Sequence, residues 1–298
     1  MKDLRIVTVN QRLEALNNQP KKVSFQGVPG AYSNMACKAA LPDWEVMPCH
    51  DFEEAFAAVK DGLVTLAMSP IENSTAGRVA DIHHLMPGSG LHIIGEHFQP
   101  VKHQLLVNKG VKLEDVREVR SHEQALSQCR EKIRSLGIEP VKFPDTAGAA
   151  QDLAFNPRPD GAAIASRLAG ELYDLEIVME NVGDQSGNTT RFIILSREAI
   201  QPSKEAGDAI TSLVFEVKSH PAALYKALGG FATNSVNITK LESYIVDEAF
   251  TVAQFYVDLE GHIDDEGMQF ALKELEYFAT YDHLGTYPAD EFRRKAES

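Results

Sequence analysis

The chain has 298 residues, 44% hydrophobic and 24% charged, an ordinary globular composition that excludes wholesale disorder, a fibrous repeat and a disulfide scaffold. At about 100–200 residues per domain, this length sets an expectation of about two domains. Its 29 basic and 43 acidic residues leave a net charge of -14, which repels nucleic acid and anionic membrane, so a small anionic substrate would need a local site that overrides the global field.

Residues 1–20 read as a polar extension ending at Pro20. They hold no apolar h-region of about 7–15 residues, so no secretory signal is expected. No stretch approaches the ~20 apolar residues of a membrane span. A β-type run followed by a helical run then recurs. Val23–Phe25 leads through Gly27-Val28-Pro29-Gly30 into a helix over Ala31–Ala40. Thr65–Met68 leads through Pro70-Ile71-Glu72-Asn73-Ser74-Thr75-Ala76-Gly77 into a helix over Arg78–Leu85. Glu118–Arg120 leads through Ser121-His122 into Glu123–Leu136. Val141–Phe143 leads through Asp145-Thr146-Ala147-Gly148 into a helix ending at Phe155, and Gly161–Ala165 leads through Ser166 into Arg167–Tyr173. This alternation predicts an α/β fold with a largely parallel sheet. Ligands of such sheets bind beyond the carboxyl ends of the strands, where these polar clusters fall.

Leu91–Gly95 and His103–Val107 read as strands that carry the chain from one lobe to another. Ile177–Asn181 and Arg191–Ser196 read as the return. Two crossings predict two lobes with a cleft between them. Lobe 1 spans about 21–100 plus 181–196, and lobe 2 about 101–180. Residues 197–209 lose apolar periodicity and read as a linker. Strands over Ile210–Lys218, Val236–Val246, Phe250–Leu259 and Leu284–Tyr287, with helices over Ala222–Phe231 and Gly267–Thr280, follow in the order βαββαβ over 210–288. Residues 289–298 read as a tail. The stretch from Thr211 onward carries a net charge of -8 over 88 residues, the more acidic part of the chain and a hint of a separate unit.

Cys37, Cys49 and Cys129 form no CxxC pair and read as reduced, buried thiols of a cytoplasmic protein. The adjacent His83 and His84 make a poor chelate, and no HExxH spacing exists, so no metal is expected. Five polar constellations remain. The Gly27–Ser33 turn opens a helix whose N-terminus suits an anion, but it lacks GxGxxG and a P-loop lysine. Glu72-Asn73-Ser74-Thr75 holds more acid, amide and hydroxyl than capping needs. Ser121-His122 with Gln124, and Asp145-Thr146, sit at strand-to-helix junctions and read singly as caps. In Asn188-Thr189-Thr190-Arg191-Phe192, Thr190 is a neutral hydroxyl donor and Arg191 could grip a carboxylate with its fork. No Ser-His-Asp or Cys-His set stands out.

Taken in order, these five stretches resemble the prephenate dehydratase family. The resemblance runs from about Val23 to Tyr287. It implies a two-lobed catalytic region similar to the type 2 periplasmic binding fold, followed by a βαββαβ ACT domain. It implies decarboxylative dehydration of prephenate to phenylpyruvate without a cofactor, and feedback inhibition by phenylalanine. Thr190 matches the family's essential threonine. Glu72, Asn73 and Gln124 match its polar cleft residues, with Ser74, Ser121, Thr146 and Arg191 as substrate-binding partners. Ala222, Ala223 and Leu224 fall where the family has Gly-Ala-Leu, and Leu241, Glu242 and Ser243 where it has Glu-Ser-Arg-Pro. Tyr244-Ile245 replaces that Arg-Pro, and Ala222 the glycine. The family's effector pocket lies between two chains, so a homodimer or homotetramer is implied. About 20 residues before the first motif are too few for the chorismate mutase domain of bifunctional relatives. Arogenate dehydratase and a non-catalytic amino-acid sensor are the alternative readings.

Overall fold

The computed structural model describes residues 16, 18–217, 221–245 and 253–296. Lys218, Val246 and Phe250, which belong to expected elements, lie outside them. The chain runs through β1 (Lys22–Gln26), α1 (Tyr32–Ala40), β2 (Glu45–Cys49), α2 (Phe52–Lys60), β3 (Leu66–Asn73), β4 (Gly77–Arg78), α3 (Ala80–Leu85) and β5 (His92–Pro100). The second lobe holds β6 (Gln104–Val107), β7 (Glu118–Ser121), α4 (Glu123–Gln128), α5 (Arg130–Leu136), β8 (Glu139–Lys142), α6 (Thr146–Phe155), β9 (Gly161–Ala165), α7 (Arg167–Leu172) and β10 (Glu176–Met179). β11 (Thr189–Ser196) returns to the first lobe. The C-terminal unit holds β12 (Ala209–Val217), α8 (Ala223–Thr233), β13 (Ile238–Ile245), β14 (Ala253–Glu260), α9 (Glu266–Phe278), β15 (Ala279–Pro288) and α10 (Glu291–Ala296).

The polar clusters between strands and helices do cap helices. Asp51 accepts from Glu54 N at the start of α2, Asp145 from Gly148 N at α6, and Ser166 from Ala169 N at α7. Three sheets result. The first lobe has the order β2-β1-β3-β11-β5 with β4 on β3, and the second has β10-β6-β9-β7-β8. The βαβ parts are parallel, as expected, with β1 beside β2 and β3, and β7 beside β8 and β9. The crossing strands are antiparallel. The chain leaves the first lobe along β5 and returns beside it along β11, so the two must run in opposite directions. The alternating pattern over 45–60 that makes β2 and α2 was not among the expected elements.

The C-terminal sheet, in the order β13-β14-β12-β15, is antiparallel throughout. One face, including Leu213 and Phe215, packs under α8 and α9 against Phe231 and Leu272. The opposite face carries Ile210, Val214, Tyr256 and Tyr287, which share one core with Ala67, Ile71, Ile193 and Leu195 of the first lobe. β12 is therefore buried on both faces, and the unit beyond the expected linker is docked on lobe 1. The approach is closest at Gly285, where a Cβ would lie 2.0 Å from the carbonyl oxygen of Ile93. The expected tail is also anchored. Phe292 stacks on Phe98 at 4.6 Å between centroids, and Arg293 Nε donates to Glu96 at 2.7 Å.

Candidate active site

β3 and β11 pair antiparallel, with Thr190 opposite Asn73 and Arg191 opposite Glu72, but Phe192 opposite Pro70. Ile71 is thus the extra residue of a β-bulge, which re-aims the strand beyond it. On β11, where alternation is undisturbed, Thr190 and Phe192 face the space between the lobes and Arg191 faces away. On β3 the bulge puts Pro70 and Asn73 on the cleft side.

The cleft has a volume of about 290 Å³. Its first-lobe wall includes Gly27, Tyr32, Ser33, Asn73 and Thr190; its second-lobe wall includes His122, Gln124, Gln128, Asp145 and Thr146. Asn73 Nδ2 donates to Thr190 Oγ1 at 2.9 Å and to Asn188 Oδ1 at 2.7 Å. The Asn73 oxygen accepts from Thr75 N, Thr75 Oγ1 and Ala76 N, which fixes the amide's orientation. Since Thr190 Oγ1 is an acceptor in that bond, its own proton is left for a group in the cleft.

Gln128, which lies outside the five motifs, ties the lobes together. Its Nε2 donates to Thr75 Oγ1 at 2.8 Å, and its Oε1 accepts from Asn188 Nδ2 at 3.0 Å. The same oxygen lies 2.9 Å from His103 Nε2, and His103 Nδ1 lies 3.0 Å from Tyr32 Oη. An amide oxygen can only accept, so His103 carries its proton on Nε2 and accepts from Tyr32 on Nδ1. Burial lowers the His103 pKa, opposed by the bond to Gln128. Gln128 sits one helical turn beyond Gln124 on α4, and that spacing was the available signal.

The expected residues divide. Thr190, Asn73, Gln124 and Thr146 come together in the cleft. Ser121 is fully buried and its hydroxyl donates to Ile164 O at 2.6 Å, stitching β7 to β9. Ser74 Oγ accepts from Thr189 N at 3.0 Å and holds the loop before β11. Arg191 and Glu72 are corrected. Arg191 is 2% exposed and points into the junction with the C-terminal unit. Its Nε meets Glu96 at 2.7 Å, its Nη1 meets Glu72 at 2.9 Å and Asp258 at 2.5 Å, and its Nη2 meets Tyr287 Oη at 2.9 Å. A fork so engaged has no free face for a substrate carboxylate. Burial opposes its charge, but Asp258 and Glu96 outweigh burial and hold the guanidinium protonated. Glu72 likewise sits between Arg191 and Lys240, whose Nζ is 2.7 Å from its second oxygen. Burial resists ionisation of Glu72, and the two cations overcome it and hold its carboxyl below the usual range.

The lining residues therefore include no lysine or arginine, and Asp145 is the one carboxylate among them. Attraction for an anion must come from neutral donors and helix ends. The first turn of α1 has no side-chain cap, so its N–H groups at Tyr32 and Ser33 are available at the cleft wall. The three cysteines are buried free thiols; burial pushes Cys49 up to about 11 and Cys129 up to about 12. Among the described residues no cluster of three or more His, Cys, Asp or Glu is arranged to hold a metal, and no helix is long and apolar enough to cross a membrane.

Fold and cleft define the class, a two-lobed α/β protein with a polar cleft between its lobes. Residues 23–200, from β1 to just beyond β11, match the model of the prephenate dehydratase family. The chain belongs to that family, whose chemistry is that of a carbon–oxygen lyase. It is 48% identical to a bifunctional N-acyl-homoserine lactone acylase/prephenate dehydratase of Komagataeibacter europaeus, over 93% of this chain and 99% of that one. It is 42% identical to arogenate dehydratase/prephenate dehydratase 2, chloroplastic, of Arabidopsis thaliana, over 94% of this chain and 76% of that one. Among solved structures, prephenate dehydratase from Arthrobacter aurescens in complex with L-Phe superposes with a TM-score of 0.82 at 30% identity, covering 90% of each chain.

Proposed function

We propose that the cleft converts prephenate to phenylpyruvate. The carrying observation is the Asn73–Thr190 hydrogen bond, which leaves the Thr190 proton free at the base of the cleft. In the reaction the bond from the ring to its carboxylate breaks, and carbon dioxide leaves. That electron pair enters the ring, which becomes aromatic as the C–O bond to the ring hydroxyl breaks. The departing oxygen, hydrogen-bonded by Thr190, takes up one proton from solvent and leaves as water. Aromatisation drives the reaction, and the protein's task is orientation and stabilisation of the leaving oxygen. Thr190 donates to that oxygen as negative charge develops. Asn73, donating to Thr190 Oγ1, polarises the hydroxyl and strengthens it as a donor. Gln124, Thr146 and the N–H groups of α1 bind the carboxylates as neutral donors. A cleft without cations suits a carboxylate that must leave as neutral carbon dioxide, since ion pairing would stabilise the charged ground state.

The relatives named for arogenate dehydratase support the amino analogue as the alternative substrate. The Komagataeibacter relative's name also includes an acylase. Here the hydrogen-bond partner of Thr190 Oγ1 is an amide and not an imidazole or carboxylate base, which favours dehydration over acyl transfer.

We further infer that the C-terminal unit is an ACT domain that binds phenylalanine and lowers the rate. The βαββαβ order and the L-Phe complex of the Arthrobacter relative support this. Ala222 precedes α8 and Ala223 and Leu224 start it, while Leu241, Glu242 and Ser243 lie on β13, the edge strand beside β14. Leu241 and Ile245 on that edge are 40% and 45% exposed, and a bare apolar edge favours pairing with a second copy. A cytoplasmic location is read from the buried free thiols. The deciding assay is turnover of prephenate and of arogenate, each with and without phenylalanine. Product from prephenate, suppressed by phenylalanine, is expected. Binding of both compounds with no product over hours would leave the sensor reading in place.

A further inference from the structure

The rung Glu72–Arg191 and the rung Asn73–Thr190 are adjacent in one ladder and face opposite sides of it. The cleft-facing rung carries the reaction under the proposed function, on which this inference rests. The bulge at Ile71 separates these two rungs from the rest of the β3–β11 ladder; their outer sides pair with β4 and β5, and the Glu72 side chain ties them to the C-terminal unit. The Glu72 carboxylate is shared between two cations from different units. Arg191 Nη1 of the first lobe is 2.9 Å from one oxygen, and Lys240 Nζ of β13 is 2.7 Å from the other. The Lys240 side chain is 9% exposed, and its ammonium also lies 3.1 Å from Glu242. Arg78, on the strand that follows the Asn73 loop, donates to Ser243 O at 2.6 Å beside it.

We propose that Lys240 is a positioning residue for the reaction: from the C-terminal unit it holds Glu72 against Arg191, and that rung sets the Asn73–Thr190 hydrogen bond on the other side of the strands. The ion-pair partners of Lys240, Glu72 and Glu242, do not line the cleft, so it acts through Glu72. Without its ammonium, Glu72 and Glu242 lose their shared cation and repel each other, and Glu72 swings off the rung. Asn73, the next residue on the strand, then shifts relative to Thr190 and their hydrogen bond lengthens.

The test uses the full chain and two substitutions. Lys240→Met keeps the aliphatic stem and removes the charge, and Lys240→Arg returns a cation. In Lys240→Met, kcat on the preferred substrate should fall about tenfold, as for a sub-ångström displacement of a reacting group. KM should stay within about twofold, because the cleft wall itself is intact. Lys240→Arg should recover most of kcat. Independently of turnover, the side-chain amide NMR signal of Asn73, assigned by its loss in Asn73→Asp, should shift in Lys240→Met and return in Lys240→Arg. A folded Lys240→Met protein with wild-type kcat or an unmoved Asn73 signal overturns the proposal, as does a loss that Lys240→Arg fails to restore. A wild type inert on both prephenate and arogenate would overturn the dehydratase reading instead, and the Asn73 signal would still decide the role of Lys240.

Discussion

Asn73 Nδ2 donates to Thr190 Oγ1 across the β3–β11 ladder at 2.9 Å, joining an amide at the end of β3 and a hydroxyl of β11 in one donor chain that ends in the cleft. The Thr190 hydroxyl is the one group of that pair with a proton to give, so it should dominate the chemistry. Thr190→Ala should cut kcat by about 10²–10³-fold, in the range for removal of a donor to a developing oxyanion. Substrate affinity, measured by calorimetry, should change little. Thr190→Ser should keep part of the rate, because the hydroxyl remains but its rotamer is freer. Near-wild-type kcat in Thr190→Ala would remove Thr190 from the mechanism.

Gln128 contacts Thr75 and Asn188 of the first lobe's loops while standing on a helix of the second. Gln128→Ala should lower kcat/KM by about 10–100-fold through loss of lobe alignment. His103 also enters here. Burial depresses its pKa, against the opposing effect of the Gln128 bond, and its neutral form accepts from Tyr32. Protonation at acid pH breaks that bond. The pH–rate profile should therefore fall on an acid limb below the ordinary histidine value of about 6.5, and the limb should be altered in His103→Gln. An unchanged limb in that variant would assign it to another group.

Arg191 compensates two fully buried carboxylates, Glu96 and Asp258. Arg191→Met should destabilise the protein by about 3–5 kcal/mol, the usual consequence of stranding buried charge. The pH dependence follows from Asp258. Burial alone would raise its pKa, but Arg191 and hydrogen bonds from Ser212 and Tyr256 outweigh burial and hold it below the usual carboxylate range. The unfolded carboxyl titrates near about 3.9. Its stabilisation is full above that value and is lost as the pH falls through the lower folded value. Urea unfolding as a function of pH should show this loss in the wild type and a shallower one in Asp258→Asn.

Ala222, the residue just before α8, has φ at +58°, a left-handed conformation that costs an alanine and suits a glycine. Ala222→Gly should stabilise the chain by about 0.5–1 kcal/mol in denaturant titration. A loss of stability would contradict the backbone conformation at this position.

Much of this architecture is legible in the residues. The five polar junctions, the double crossing between lobes and the βαββαβ order all follow from local alternation and punctuation, which are short-range properties. Thr190, Asn73, Gln124 and Thr146 stand out through the order of the five motifs and the family they resemble, since residue type alone makes the Gln124 and Thr146 stretches helix caps. The parity of β11 already opposed Arg191 to Thr190, since neighbours on an unbroken strand face opposite sides. A guanidinium fork next to a hydroxyl donor nonetheless suggests a carboxylate clamp when its partners, Glu96 and Asp258, are distant in the chain.

The amino-acid sequence by itself determined the family, the two lobes and the appended unit, and most of the cleft's polar wall. The tertiary structure alone decided which side of the sheet Glu72 occupies. Counting by twos from Met68 and Pro70 sends Glu72 into the cleft and Asn73 away from it. The bulge at Ile71 adds one residue and reverses that parity. It likewise decided that the acidic C-terminal unit is docked rather than tethered, with Asp258 and Lys240 engaging Arg191 and Glu72 from β14 and β13. Both facts arise from contacts between segments far apart in the chain, and local periodicity carries no information about them.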